Sequence, residues 1–146
     1  MTLQDILRTK GSIVFTIEPT ATLEDVVLRL VQHNVGALVV CDRDCSEGER
    51  PVGIITERDI LHVTAKQRGL LGSMRVAEYM TTRLITATPQ DSVDTVMGLL
   101  TEHRIRHVPV LNGNKLVGLV SIGDIVKSQL DRLAMENQFM KDYIRS

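Results

Sequence analysis

The stretch that decides the fold is GIITERD at residues 53–59, which returns near the other end of the chain as GLVSIGD at residues 118–124. Each copy begins at a glycine, continues through apolar residues and reaches Thr or Ser, with an aspartate three positions later. This pattern predicts a buried strand that leads into the first turn of a helix, where free backbone N–H groups attract anions. The same spacing is typical of a capping box that only starts a helix. Two copies in matching places favour a pair of ligand sites.

The residues around the first copy predict the order strand, helix, strand, strand, helix. Strands are expected at 14–17, 37–41 and 51–56, where short, mainly apolar runs occur. One helix is expected to start at Thr22, before an apolar stripe at helical spacing, and another to cover Glu57–Lys66. The order of these elements defines one structural unit.

The chain aligns with itself over a second unit. Pro19 corresponds to Pro89 at an offset of 70 residues. The offset falls to 65 at Gly53 and Gly118, because the first unit has five extra residues within the polar loop 41–50. A hairpin loop tolerates such an insertion. One register with one gap indicates an internal duplication.

Each unit is near the size at which a single core is marginal, and its strands need cover on more than one face. We therefore predict a mixed α/β (α+β) fold in which two β-α-β-β-α repeats pack by a pseudo-twofold axis, so that their ligand-capable strand ends meet in a shared cleft. The predicted divisions are 1–68 for a leading helical segment and the first repeat, 69–82 for a linker with a short helix, 83–130 for the second repeat, and 131–146 for a helical tail.

The duplicated units with their G-h-h-T/S-x-x-D motif, where h is apolar, resemble a tandem pair of CBS domains, the Bateman module named after cystathionine β-synthase. The resemblance covers about residues 3–130, and Lys10-Gly11 and the linker at 76–81 are similar to stand-alone bacterial members. It implies a non-enzymatic sensor that binds an adenosine-containing ligand, such as AMP, ADP, ATP or NAD, between the repeats.

The two motifs are expected to hold the sugar and the phosphate of such a ligand. Asp59 and Asp124 can each accept hydrogen bonds from two ribose hydroxyls. Thr56 and Ser121, together with helix-terminal N–H groups, can hold phosphate. The alternative role of all four residues is capping, which does not exclude contact with a ligand.

The resemblance also implies that apolar side chains and backbone of the opposite unit's first strand hold the base. Ordinary strand packing is the alternative for the same residues. The implied residues are Val14, Thr16 and Ile17 near Asp124, and Ile85, Thr86 and Ala87 near Asp59.

The two sites are predicted to be unequal. Arg106 precedes a strand of the second unit, where the family often carries a phosphate-contacting basic residue, whereas the first unit has Gly36 there. The first motif contains Arg58 where the second has Gly123. We therefore expect Arg58 to serve the first site and Arg106 the second, with more room for a longer ligand in the first. His107 either faces a phosphate or is an ordinary core or surface histidine.

The composition of the chain excludes several other classes of protein. A net charge of −1 and an aromatic content of 3% without Trp offer neither the charge nor the stacking surfaces for nucleic acid. No apolar run is long enough to span a membrane, and no signal pattern is found, so a cytoplasmic protein is expected. Cys41 and Cys45 suggest neither a secreted disulfide framework nor a zinc site, and no metal is expected.

Two functions remain open, a nucleotide sensor and a constitutive interaction or dimerisation module with vestigial sites. An enzyme is not expected, because no nucleophile–base pair is found. A homodimer is expected, with an unidentified regulated protein as a further partner, because apolar helix flanks and the tail need cover. The tail carries a heptad seam that lies either on its own domain or against a second subunit, formed by Val126, Leu130, Leu133, Asn137, Met140 and Ile144.

Overall fold

The first repeat combines a three-stranded sheet with two helices. The computed structural model describes residues 1–145. After α1 (Leu3–Lys10), the first repeat consists of β1 (Thr16–Ile17), α2 (Leu23–His33), β2 (Ala37–Val40), β3 (Gly53–Thr56) and α3 (Glu57–Lys66). Strand β1 is parallel to β2, and β2 is antiparallel to β3 with Val39 opposite Ile54. The predicted order of elements is confirmed in this half.

The second repeat has the same order, but its first strand is reduced to a single parallel bridge between Ala87 and Val110. In the first repeat the N–H of Val39 donates to the carbonyl of Phe15. The residue equivalent to Val39 is Pro109, which has no N–H, so this bond of the ladder cannot form. The remaining elements are α4 (Val76–Tyr79) in the linker, then α5 (Val93–His103), β4 (His107–Asn112), β5 (Lys115–Ser121) and α6 (Ile122–Arg145).

The helices that precede the two repeats are exchanged in space. Leu3, Ile6 and Leu7 of α1 are buried in the core of the second repeat. Val76 of α4 is buried in the core of the first repeat. Backbone bonds fix this arrangement, since the N–H of Leu3 donates to the carbonyl of Asp91 at 3.0 Å. The segment that opens the chain therefore stabilises the half that closes it.

The polar loop of the first repeat also reaches the second repeat. Cys41 and Cys45 form a disulfide with a Cα–Cα distance of 6.0 Å, a pairing that the sequence did not predict. Both cysteines are buried in a cluster with Val39, Leu111 and Leu116. The acidic residues of the loop are exposed, as expected of a solvated hairpin. The insertion thus joins the two repeats through its apolar members.

Helix α6 continues beyond the second repeat into the tail, where its residues are exposed. Leu130 and Leu133 of the predicted seam are 60% and 59% exposed. Over the described residues the seam is not covered by the chain itself. No described helix is long and apolar enough to cross a membrane.

Candidate ligand-binding site

A cavity of about 220 Å³ lies between the end of β3 and the start of β4. Its walls come from both repeats and from the linker that joins them. The lining residues are Ile54, Thr56, Glu57, Arg58 and Asp59 of the first repeat, Thr81 of the linker, and Arg83, Leu84, Ile85, Arg104, Ile105, Arg106, His107 and Pro109 of the second repeat.

The first motif is held at one wall by its own capping box. The N–H of Thr56 donates to Asp59 Oδ2 at 2.9 Å, and the N–H of Asp59 donates to Thr56 Oγ1 at 3.3 Å. The hydroxyl of Thr56 donates to the same Oδ2 at 3.1 Å. Within residues 1–145, Asp59 Oδ1 accepts no hydrogen bond. The cap therefore orients the carboxylate and leaves one oxygen for another partner.

The opposite wall contains part of the predicted base-contacting strand. Ile85 lines the cavity. Thr86 does not line it, and Ala87 is buried in the core of the second repeat. Because only Ala87 bonds to β4, the chain before it departs from the sheet and forms the wall through Leu84 and Ile85.

The placement of Arg106 differs from the prediction that it serves the second site alone. Arg58 and Arg106 line the same cavity, and Arg83 and Arg104 join them. Four arginines against Glu57 and Asp59 give this cavity an excess of positive charge. Sequence reasoning missed Arg83 and Arg104, because the start of the second repeat and the end of α5 carry no motif.

His107 and Glu57 border the space beside Gly36. A Cβ on Gly36 would lie 3.4 Å from both Cε1 and Nε2 of the His107 ring. Burial lowers the pKa of His107 against the opposing influence of Asp124 and Glu57, so the neutral imidazole is favoured. The room for a longer ligand at this point stays a prediction.

The second motif forms the same kind of cap. The N–H of Ser121 donates to Asp124 Oδ2 at 2.9 Å, and the N–H of Asp124 donates to Ser121 Oγ at 3.1 Å. Lys10 adds an ion pair, with Nζ 2.6 Å from Oδ2. Burial acts to raise the pKa of Asp124, but the bonds from Lys10 and Ser121 outweigh it, and the pKa lies below its usual value. Gly123 is exposed beside this pair.

The residues predicted to hold a base near Asp124 occupy three different environments. Ile17 is buried in the core of the first repeat, and Val14 packs on the cluster shared by the two repeats. Thr16 is exposed, and its carbonyl accepts a hydrogen bond from Arg29 at 2.7 Å. Their contact with a ligand stays a prediction.

Comparisons with known proteins agree with this architecture. The CBS domain family matches residues 3–66 and 76–131. The chain is 37% identical to the CBS domain-containing protein CBSX3, mitochondrial, of Arabidopsis thaliana, over 99% of this chain and 72% of that protein. A crystal structure of a CBS-domain containing protein from Agrobacterium tumefaciens superposes with a TM-score of 0.81 at 33% identity, covering 88% of this chain and 99% of that one.

A further crystal structure carries ligands. The CBS domain pair of protein MJ0100, in complex with 5′-methylthioadenosine and S-adenosyl-L-methionine, superposes with a TM-score of 0.77 at 27% identity. The match covers 90% of this chain and 98% of that one.

Proposed function

This chain belongs to the CBS domain family, and we propose that it is a non-enzymatic regulatory module that binds an adenosine-containing ligand between its repeats. The observation that carries the proposal is the cavity at Asp59, in which one oriented carboxylate, four arginines and apolar walls come from both repeats. The adenosine-containing ligands of the similar MJ0100 domain pair support the same ligand class.

The ribose is proposed to bind at Asp59. Its carboxylate already uses Oδ2 for the cap, while Oδ1 accepts no hydrogen bond from the described residues. A carboxylate oxygen accepts more than one hydrogen bond, so two neighbouring hydroxyls can bind there. The cap prevents the side chain from rotating away, which lowers the entropy cost of binding.

The phosphate is proposed to bind among the arginines. Arg58, Arg83, Arg104 and Arg106 supply guanidinium groups that match phosphate oxygens with paired, charged hydrogen bonds. The first turn of α3 can add the N–H of Arg58, because the N–H groups of Glu57 and Asp59 already donate to other residues. A ligand with one or more phosphates would offset the mutual repulsion of these four cations, whereas a neutral nucleoside would not.

The base is proposed to lie against the apolar wall formed by Ile54, Leu84, Ile85, Ile105 and Pro109. The cavity of about 220 Å³ is smaller than the roughly 300–1,000 Å³ of typical small-molecule sites, which favours a mononucleotide such as AMP over a dinucleotide such as NAD. ADP and ATP would extend their further phosphates toward the opening.

Regulation is proposed to follow from the position of the ligand between the repeats. A molecule that contacts Asp59 on one side and Arg106 on the other stabilises one arrangement of the two halves by mass action. The exposed seam of α6 would transmit that arrangement to a second copy of the chain in a homodimer, and through it to a regulated protein. The same seam favours the second candidate, a constitutive dimerisation module whose sites no longer bind.

The test compares two aspartates that cap helices in the same way. Asp59→Ala removes the carboxylate half of the capping box of α3 and the proposed ribose contact, whereas Asp25→Ala removes the same half of the box of α2, in which Asp25 is exposed. Each variant should lose about 1 kcal/mol of stability with the hydrogen bond that its carboxylate accepts from the N-cap N–H. Only Asp59→Ala should weaken the binding of AMP at this site, by about 10- to 100-fold, because only it loses ribose bonds.

Titration calorimetry on protein freed of ligand by unfolding and refolding measures both affinities. AMP, ADP, ATP and NAD are each titrated into the unmodified protein first. Lack of binding by all four, with the fold intact, would favour the constitutive module. Equal affinities of the Asp59→Ala and Asp25→Ala variants would mean that Asp59 is a cap and nothing more.

A further inference from the structure

The carboxylate of the second site is paired with a lysine from the start of the chain. Lys10 Nζ lies 2.6 Å from Asp124 Oδ2 and donates to the carbonyl of Leu119 at the same distance. The two side chains are 33% and 25% exposed, so the pair is partly shielded from water. A partner stabilises an ammonium in this setting, because an unpaired and partly buried charge is costly.

This lysine takes the place of a backbone group in the first site. There, the carbonyl of Ile54 accepts a hydrogen bond from the N–H of Thr81 at 2.9 Å. Leu119 is the residue equivalent to Ile54, and its carbonyl accepts from Lys10 Nζ instead. Among the described residues Asp59 forms no ion pair. The two halves of the duplication therefore offer a ligand different charges at the same position.

The position of Lys10 is fixed by the helix that carries it. Lys10 is the last residue of α1, and that helix is anchored in the second repeat by three buried side chains. Gly118 permits the close approach, since a Cβ at this residue would lie 2.5 Å from Leu7 Cδ2. The backbone of Lys10 is therefore held in place, and only its side chain is free to move.

We propose that Lys10 determines the specificity of the second site, making it select an adenosine ligand with an anionic 5′ group over a neutral nucleoside. The inference rests on the proposed function, since it assumes that ribose hydroxyls bind Asp124. Those hydroxyls can donate to Asp124 Oδ1, because the cap and Lys10 both use Oδ2. Lys10 then lies beside the ribose with one of its three donors left, since the other two bind Asp124 and the carbonyl of Leu119, and that donor can bind a phosphate. With adenosine it has no anion to bind.

The test compares AMP and adenosine at the second site by titration calorimetry in an Asp59→Ala background, in which first-site binding is weakened and can be fitted separately. Lys10→Met removes the ammonium and keeps most of the stem, while Lys10→Arg retains the positive charge. Lys115→Met, at an exposed lysine where β5 begins, is the matched control. AMP should bind more tightly than adenosine by about tenfold or more with Lys10 present, because a charged hydrogen bond to phosphate is among the strong ones.

Lys10→Met should bring the two affinities to within about threefold of each other, by weakening AMP and sparing or improving adenosine. Lys10→Arg and Lys115→Met should keep the preference. Three outcomes would overturn the proposed role of Lys10: an unchanged preference in Lys10→Met, an equal weakening of both ligands, or no AMP binding at the second site. If AMP still binds the first site, each of these outcomes leaves the proposed function standing. Absence of binding at both sites, with Asp59 intact, would overturn this inference together with the proposed function.

Discussion

Substitution of Leu3 by Ala should weaken the second repeat, although Leu3 opens the chain. Leu3 is 0% exposed and belongs to the cluster that contains Val96 and Val108. The three carbons removed correspond to about 2.4 kcal/mol of transfer free energy at about 0.8 kcal/mol each. The remaining cavity raises the expected loss to about 3–5 kcal/mol. Since a domain of this kind is stable by about 5–15 kcal/mol, the variant should fold but with a small margin.

Urea unfolding followed by circular dichroism gives the loss of stability as a lower midpoint with an unchanged slope. Hydrogen exchange measured by mass spectrometry then locates the loss of stability in the chain. The protection of backbone amides from exchange should fall more in residues 93–121 than in residues 16–56. Ile13→Ala is the control, because Ile13 is 78% exposed and should change stability by no more than about 0.5 kcal/mol. A loss below about 1 kcal/mol, or a loss of protection confined to the first repeat, would refute the exchange of the leading helices.

Two further predictions concern His107 and the tail. Burial places the pKa of His107 in the folded protein below its value of about 6.5 in the unfolded chain. The free energy of unfolding should therefore be highest above pH 6.5 and should fall as the pH decreases toward the folded pKa. Urea midpoints between pH 7.5 and 5.5 should fall less steeply in His107→Gln, and equal slopes would contradict this. The chain should be a dimer by light scattering, and Leu130→Glu with Leu133→Glu should give monomers without loss of stability, because both side chains are exposed. A monomeric unmodified protein at micromolar concentration would contradict the dimer.

The sequence predicted the features that depend on neighbours within a few residues. The hydroxyl–aspartate spacing produces caps at Thr22, Thr56 and Ser121 because the partners are separated by one helical turn. The order of the strands follows from local periodicities, and the duplication follows from the alignment of the chain with itself at offsets of 70 and 65 residues. The sequence also contains the reason why the first strand of the second repeat is reduced to a bridge at Ala87, since Pro109 has no N–H to donate to a parallel neighbour.

Tertiary structure decided which residues of the two repeats meet. No local rule places Arg83 and Arg106 in one cavity with Asp59, moves the His107 ring against Gly36, or brings Lys10 to Asp124 across more than a hundred residues. These contacts arise because two similar units bury their apolar faces against each other and each is covered by the helix that precedes the other. The sequence by itself therefore determined the two motifs and the helix turns that hold them. Packing between the repeats determined the charges that surround each motif, because electrostatic interactions depend on distance in space and not on separation along the chain.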